Sequence, residues 1–389
     1  MRFSVKQWGL QMRPFFFFGS LRDRSLLEVV LDREIAENDL TAATAPGYVT
    51  LRLKHEPYPY LTARPGQSAE GVVVFNLTDT DQRRLEYFEE AEYGLAPITV
   101  ETARGTVDAQ FFATDTKLEP NIGDTQWDFS EWCGNARATA IEEAIELMAH
   151  IDLVPVEDCD TIWPGIKTRA MMRARAKATK PICGQLRGTH AAEDVESVRV
   201  ARPYTNFFAV EEHRLRHRRF DGSMSPEITR AALTSGDAVT VVPFDPRTGR
   251  VLLIEQFRAP MFARGDACPW SIEAVAGRID QEPDPEACAR REAMEEAGLD
   301  LGRMEQIAAY YSSPGIIAEH ITSFVGEARL ESAGGLYGAA NENEDIRAFT
   351  CPLDEALDAV ASGEIDNAPA ILSLLWLSRN RRRLAAEWV

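Results

Sequence analysis

Residues 277–299 read GRIDQEPDPEACARREAMEEAGL, and this segment restricts what the chain can become more than any other. Its ends carry helix punctuation. Asp284 can cap the N-terminus, Pro285 suits the first helical position and Gly298 can close the C-terminus. The spacing therefore predicts a helix over 285–297. On it Glu292 and Glu296 are four residues apart and share a face, with Glu295 beside them. Like charges at that spacing weaken a bare helix by ~0.2–0.5 kcal/mol per pair. Pairing with Arg290 and Arg291 offsets this on a solvated face, whereas a bound divalent cation reverses the sign of the repulsion. Oxygen-only donors favour hard ions, Mg²⁺ first and Mn²⁺ as the alternative.

The 389-residue chain as a whole constrains function by exclusion. Its 42 basic and 61 acidic side chains leave a net charge of −19, which repels phosphate backbones and disfavours a nucleic-acid partner. No apolar run approaches the ~18 residues of a membrane span, so no membrane role is expected. Six scattered cysteines without a Cys-x-x-Cys pair argue against a disulfide framework or a zinc knuckle. The start, MRFSVKQWGLQMRP, has no signal-peptide apolar core. The expected location is the cytoplasm. His213 and His217 form an H-x-x-x-H pair, but Arg214, Arg216, Arg218 and Arg219 surround them, and that cationic setting favours a solvated face over a zinc site.

Patterning divides the chain into three. Residues 1–120 hold short strands (PFFFFGSL, YVTLRLKH, GVVVFNL, APITVET, DAQFFAT) with helices after Ser20 and at about 79–88. Residues 121–190 form a helical connector: one helix within 130–150, then a stretch from Thr161 to Ala191 with no acidic residue and seven basic ones. That stretch reads either as an anion-binding helix or as a helix docking on acidic neighbours. Residues 191–389 mix strands (195–202, 207–217, 238–244, 251–257, 271–276, 307–311, 320–328, 346–351) with helices (285–297, 353–361, 368–385). Two domains, α/β and α+β, are expected.

The helix segment fits the pattern G-x5-E-x7-R-E-U-x-E-E-x-G-U at Gly277, Arg291, Glu292, Glu295, Glu296, Gly298 and Leu299. It resembles the box of Nudix hydrolases, which cleave nucleoside diphosphates linked to another group. Two positions depart from it: Pro283 replaces a bracing Glu, and Ala293 replaces a larger aliphatic. The segments VLLIEQFRAP, PWSIEAVAG, SSPG, NENEDIRAF and EIDNAPAILSLLWL look like the ADP-ribose pyrophosphatase branch.

This resemblance implies an α/β/α sandwich with a mixed sheet and Mg²⁺-dependent hydrolysis of ADP-ribose to AMP and ribose 5-phosphate. It further implies metal ligation by Glu292, Glu296, Glu344 and the Ala276 carbonyl. Glu342 would be the general base and Glu295 a further catalytic carboxylate. Arg258 would contact the diphosphate, Tyr204 would stack on adenine, and Ser313, Gly315 and Glu319 would line the terminal ribose. The stretch 204–228 is similar to a sheet through which that branch forms a homodimer.

At the other end, Phe18-Gly19-Ser20-Leu21 and LEYFEEAEY (85–93) resemble the γ-glutamylcyclotransferase-like fold, a small β-barrel-like domain. The likeness implies substrate-binding backbone at Phe18, Gly19, Ser20 and Leu21 and an acid–base role for Glu89, with Glu90 where that family carries Gly. The pairing of the two domains resembles bacterial tellurite-resistance proteins of the TrgB type, a name that describes a phenotype and supplies no chemical step. Three further readings stand beside the hydrolase of ADP-ribose: a hydrolase of another nucleoside diphosphate sugar, a nucleotide sensor, and a cyclotransferase acting through Glu89.

Overall fold

The computed structural model describes residues 14–54, 58–89, 93–114, 122–180, 186, 188–280, 284–338 and 344–389. The chain divides into two compact units at Thr179/Lys180.

The first unit opens on β1 (Phe15–Phe17), α1 (Arg24–Leu31), β2 (Leu40–Leu53) and β3 (Pro59–Val74). There follow α2 (Asp79–Phe88), β4 (Tyr93–Thr102), β5 (Gly105–Thr114), β6 (Ile122–Gln126), α3 (Phe129–Asn135), α4 (Arg137–Met148) and α5 (Cys159–Ala178). Strands run in the order β3-β1-β5-β4-β2, and β2 pairs back onto β3, closing a five-stranded barrel with β6 attached to β2. The run of phenylalanines is explained by the period of a strand. Phe16 points into the barrel core with Val73, Ile98 and Phe111, while Phe15 and Phe17 point to the core beneath the helices. Both faces of β1 are therefore buried.

Of the stretch 121–190 expected as a connector, residues 122–179 fall in this unit. Ala144, Leu147 and Met148 of α4 and Ile162 and Ile166 of α5 share one core with Leu26 and Leu27 of α1 and Leu85 of α2. The predicted single helix in 130–150 is two helices, α3 and α4, meeting at Ala136. The basic stretch takes the docking alternative. Arg169, fully buried, reaches Glu146 with Nε at 2.8 Å from Oε1. Arg173 pairs with the same carboxylate, and Lys177 with Glu142.

The second unit contains β7 (Val195–Thr205), β8 (Ala209–His217), β9 (Ile228–Thr234), β10 (Ala238–Asp245), β11 (Arg250–Phe257) and α6 (Ala259–Arg264). Next come β12 (Trp270–Glu273), β13 (Val275–Arg278), α7 (Pro285–Ala297), β14 (Met304–Tyr311), β15 (His320–Glu327), β16 (Gly335–Tyr337), β17 (Ile346–Pro352), α8 (Leu353–Ser362) and α9 (Ala368–Trp388). Its main sheet has the order β14-β15-β10-β11-β17-β16, with β10 and β15 parallel and the other pairs antiparallel. Helix α7 covers one face and α8 and α9 the other, giving the expected three layers. A second sheet, β7-β8-β9, is joined to the main body where Leu233 exchanges backbone hydrogen bonds with Ile316 and Ala318.

One feature of the main sheet positions the site. Strands β10 and β11 pair only beside their turn, at Phe244↔Val251 and Asp245↔Arg250, and then part. The stretch predicted as one strand over 271–276 fills the gap as two. Glu273 of β12 pairs with Ile254 of β11, and after Ala274 the chain crosses so that Val275 and Ala276 of β13 pair with Val241 and Thr240 of β10.

His213 and His217 lie on β8, so their Cα atoms are ~13 Å apart and cannot share a metal. His213 contacts Glu211 at 3.1 Å instead. Among the described residues Cys133, Cys159, Cys268, Cys288 and Cys351 are free, and no helix is long and apolar enough to cross a membrane.

The Arg169–Glu146 pair yields a stability test. Arg169→Ala leaves a fully buried carboxylate short of its principal partner and is expected to destabilise the first unit by about 3–5 kcal/mol. Chemical denaturation followed by tryptophan fluorescence measures this.

Candidate active site

Helix α7 forms where its punctuation predicts. Asp284 accepts hydrogen bonds from the Glu286 and Ala287 amides, Pro285 is the first helical residue, and Gly298 closes the helix at φ 63°. Cys288, Ala289, Ala293 and Ala297 make its buried stripe. These small side chains let the helix lie close to β10 and β13. The Ala293 departure belongs to that stripe, being fully buried against the sheet. Pro283 lies outside the described residues.

Close approach brings the two carboxylates against β13. The Glu296 Oε2 accepts from the Ala276 amide at 2.9 Å. Glu292 lies over Gly277 so tightly that a Cβ there would sit 1.9 Å from Glu292 Oε1. Only glycine leaves this carboxylate its place. Both side chains are buried, at 9% and 3% exposure, and each is charged at a cost. Burial pushes the Glu292 carboxyl up to about 7, opposed by Arg291 and assisted by Glu295, Asp280 and Glu344. Burial pushes Glu296 up to about 8; the Ala276 amide and Arg258 oppose the rise, and Glu292 and Glu344 add to it.

Around this pair the structure distributes the other expected residues unevenly. Glu344 stands before β17, near enough for its charge to raise both carboxyls. Glu295 is half exposed and bonded to Arg291, whose guanidinium also holds Glu292 at 2.8 Å. Glu342 lies outside the described residues. Arg258 stands at the end of β11 with both arms of its fork on buried Glu273, Nε–Oε1 3.0 Å and Nη2–Oε2 2.7 Å. Ser313, Gly315 and Glu319 lie on the segment between β14 and β15. There Glu319 is raised by burial, with Ser312 and Arg278 opposing and Asp237 adding to the rise. Tyr204 is on the other sheet, half exposed beside Phe208.

Glu273, which fixes Arg258, escaped the sequence reading, because nothing in its own segment marks it. The period of two along VLLIEQFR aligns Leu252, Ile254, Gln256 and Arg258 on one face.

The donors fit a hard divalent cation: all are oxygen, two are buried carboxylates, and Gly277 leaves the space they need. Among the described residues no three acidic, His or Cys side chains are already gathered around one point. Arg291 holds Glu292 in their stead.

Residues 234–374 match the NUDIX domain family model. An ADP-ribose pyrophosphatase of Escherichia coli K12 is 39% identical over 200 residues, which are 51% of this chain and 95% of that protein. The chain belongs to the Nudix hydrolases. A Haemophilus influenzae ADP-ribose pyrophosphatase is 34% identical over 50% of this chain and 91% of its own length. A GDP-mannose pyrophosphatase of Salmonella arizonae is 34% identical over 38% of this chain and 76% of its own. Nudix hydrolases generally use a divalent metal, in keeping with the donor set on α7.

Residues 15–132 match the family of gamma-glutamyl cyclotransferase, AIG2-like, proteins, so this Nudix hydrolase carries such a domain at its N-terminus. There the Phe18 side chain packs against the barrel core and Leu21 is buried beneath the helices. A Cβ on Gly19 would lie 2.5 Å from Pro59 Cγ. Ser20 is partly exposed, and Glu89 caps the C-terminus of α2, half-buried.

The raised carboxyls have a consequence for stability. Their folded pKa values exceed the unfolded value of 4.5, so the stability they contribute is full below about pH 4.5 and is lost as pH rises through about 7 and 8. A cation held by them restores it. The thermal midpoint should therefore rise more on Mg²⁺ addition at pH 8.5 than at pH 6, measured by scanning fluorimetry. Equal rises would place the cation elsewhere.

Proposed function

We propose that the chain hydrolyses the pyrophosphate of ADP-ribose, with Mg²⁺, to AMP and ribose 5-phosphate. The observation that carries this reading is the near full-length likeness of the second unit to proteins named ADP-ribose pyrophosphatases. The buried pair Glu292 and Glu296 supports it from the side of chemistry.

A pyrophosphate diester carries two negative charges and repels an anionic nucleophile. When bound, divalent cations neutralise those oxygens and lower the pKa of water. Glu292, Glu296, Glu344 and the Ala276 carbonyl would hold them. Arg258, kept in one orientation by Glu273, presents positive charge to the diphosphate. Glu342 takes the proton as water adds to phosphorus, the P–O–P bond breaks, and the leaving phosphate departs with its ribose. Tyr204 would receive the adenine, and Ser313, Gly315 and Glu319 the terminal ribose. A cytoplasmic homodimer built through the Nudix domain completes the proposal. Exposed Val198, Val200, Tyr204 and Phe207 on and beside β7 support that interface.

The GDP-mannose relatives favour a second reading, in which the same chemistry acts on another nucleoside diphosphate sugar. The purified protein should release AMP from ADP-ribose faster than it cleaves GDP-mannose at equal concentration. Glu296→Gln should lower turnover at least ~10²-fold. Preference for GDP-mannose would replace the substrate while keeping the reaction. Glu342→Gln should lower kcat by ~10²–10⁴ with little change in Mg²⁺ affinity, and an unchanged kcat would remove Glu342 from the role.

A further inference from the structure

On β11 the α7-facing side runs from packed core to charged site in four alternate residues. Leu252 and Ile254 belong to the core beneath α7. Gln256 and Arg258 continue that face, the latter ~7 Å further on. Gln256 pairs with Ser271 of β12 on one side and Ile346 of β17 on the other, both buried. Its own exposure is 6%, and its Nε2 has no hydrogen-bond partner among the described residues.

A buried amide donor without an acceptor is uncommon, because water has been removed and nothing replaces it. The nearby acceptor, Glu273, spends both carboxylate oxygens on Arg258. We propose that Gln256 is a substrate-contacting residue whose Nε2–H donates to a phosphoryl oxygen of the diphosphate, beside the oxygen taken by Arg258. This rests on the reading of a nucleoside diphosphate substrate. The residue type suits the place. Glu273, Glu296 and Glu344 make this end of the sheet anionic, and Arg258 already feels Glu296 and Glu344. A second cationic side chain would pair with those carboxylates and compete with a divalent ion. A neutral amide offers a donor without doing so.

Gln256→Leu keeps the approximate shape and removes the donor. The folded, unliganded variant should melt at the same temperature as wild type or higher. Its kcat/KM for ADP-ribose should fall about ten- to a hundredfold, as for a lost hydrogen bond to an anion. The rise in melting temperature on adding ADP with Mg²⁺ should shrink or vanish. A purely structural glutamine gives the reverse: a lower melting temperature, with kcat/KM and the ADP-induced rise retained. That result overturns the proposal. Gln256→Met repeats the test in a more adaptable side chain should the leucine variant fail to fold.

The two readings fail separately. If wild type turns over no nucleotide sugar but ADP with Mg²⁺ raises its melting temperature and Gln256→Leu abolishes that rise, the catalytic reading falls and the contact stands. If ADP with Mg²⁺ leaves the wild type unmoved, there is no diphosphate for Gln256 to meet and the contact is overturned.

Discussion

The second unit is organised around two carboxylates that it buries at a cost to their charged forms. Glu292 and Glu296 pack against β13 with carboxyls raised to about 7 and about 8, a standing penalty that the apolar contacts around them must outweigh. Three features of the chain make that possible. The stripe of Cys288, Ala289, Ala293 and Ala297 brings α7 down on the sheet. Gly277 gives Glu292 the volume a side chain would take. The parting of β10 from β11 lets one short stretch, crossing at Ala274, present Glu273 on one side and the Ala276 amide on the other. Local rules are broken here in the company of compensations, which is where functional sites are expected.

The same economy governs β11. Apolar side chains would have continued the core through Gln256 and Arg258. Polar ones stand there instead, and among the described residues Arg258 is held by Glu273 while the Gln256 Nε2 has no partner. The ion pair does more than stabilise: a bidentate carboxylate holds a planar guanidinium in one orientation, reducing the ordering cost when an anion arrives.

What the sequence disclosed follows from how local each cause is. Helix α7 was legible to the residue because Asp284, Pro285 and Gly298 each act on their own neighbours. The closely bounded α2, whose Thr78 and Asp81 cap it reciprocally, was legible for the same reason. Strand β9, ITRAALT, was missed because only one of its seven residues, Thr234, is buried and no alternation of apolar and polar residues marks it; pairing with β8 makes it a strand. Strand β16 is three residues long and takes its definition from β17. The crossing at Ala274 and the absorption of α4 and α5 into the first unit are tertiary effects. Nothing in IEAVA announces a change of strand partner, and the basic run of α5 shows its purpose only when Glu142 and Glu146 are opposite it. At the site, the residue types were visible but Glu273 was not, because its role exists only through Arg258.

The N-terminal domain shows how a motif can carry a fold further than it carries an activity. Phe-Gly-Ser-Leu and the Leu85–Glu89 stretch lie within a region that matches the cyclotransferase-like family. Yet two of the four loop side chains, Phe18 and Leu21, serve the two cores on either side of β1, and Gly19 is a glycine that Pro59 approaches closely. Packing alone therefore accounts for three of the four residues. A catalytic role for Glu89 would have to come from its own surroundings, not from the loop motif, since a barrel strand entering a helix needs this loop whether or not anything binds to it.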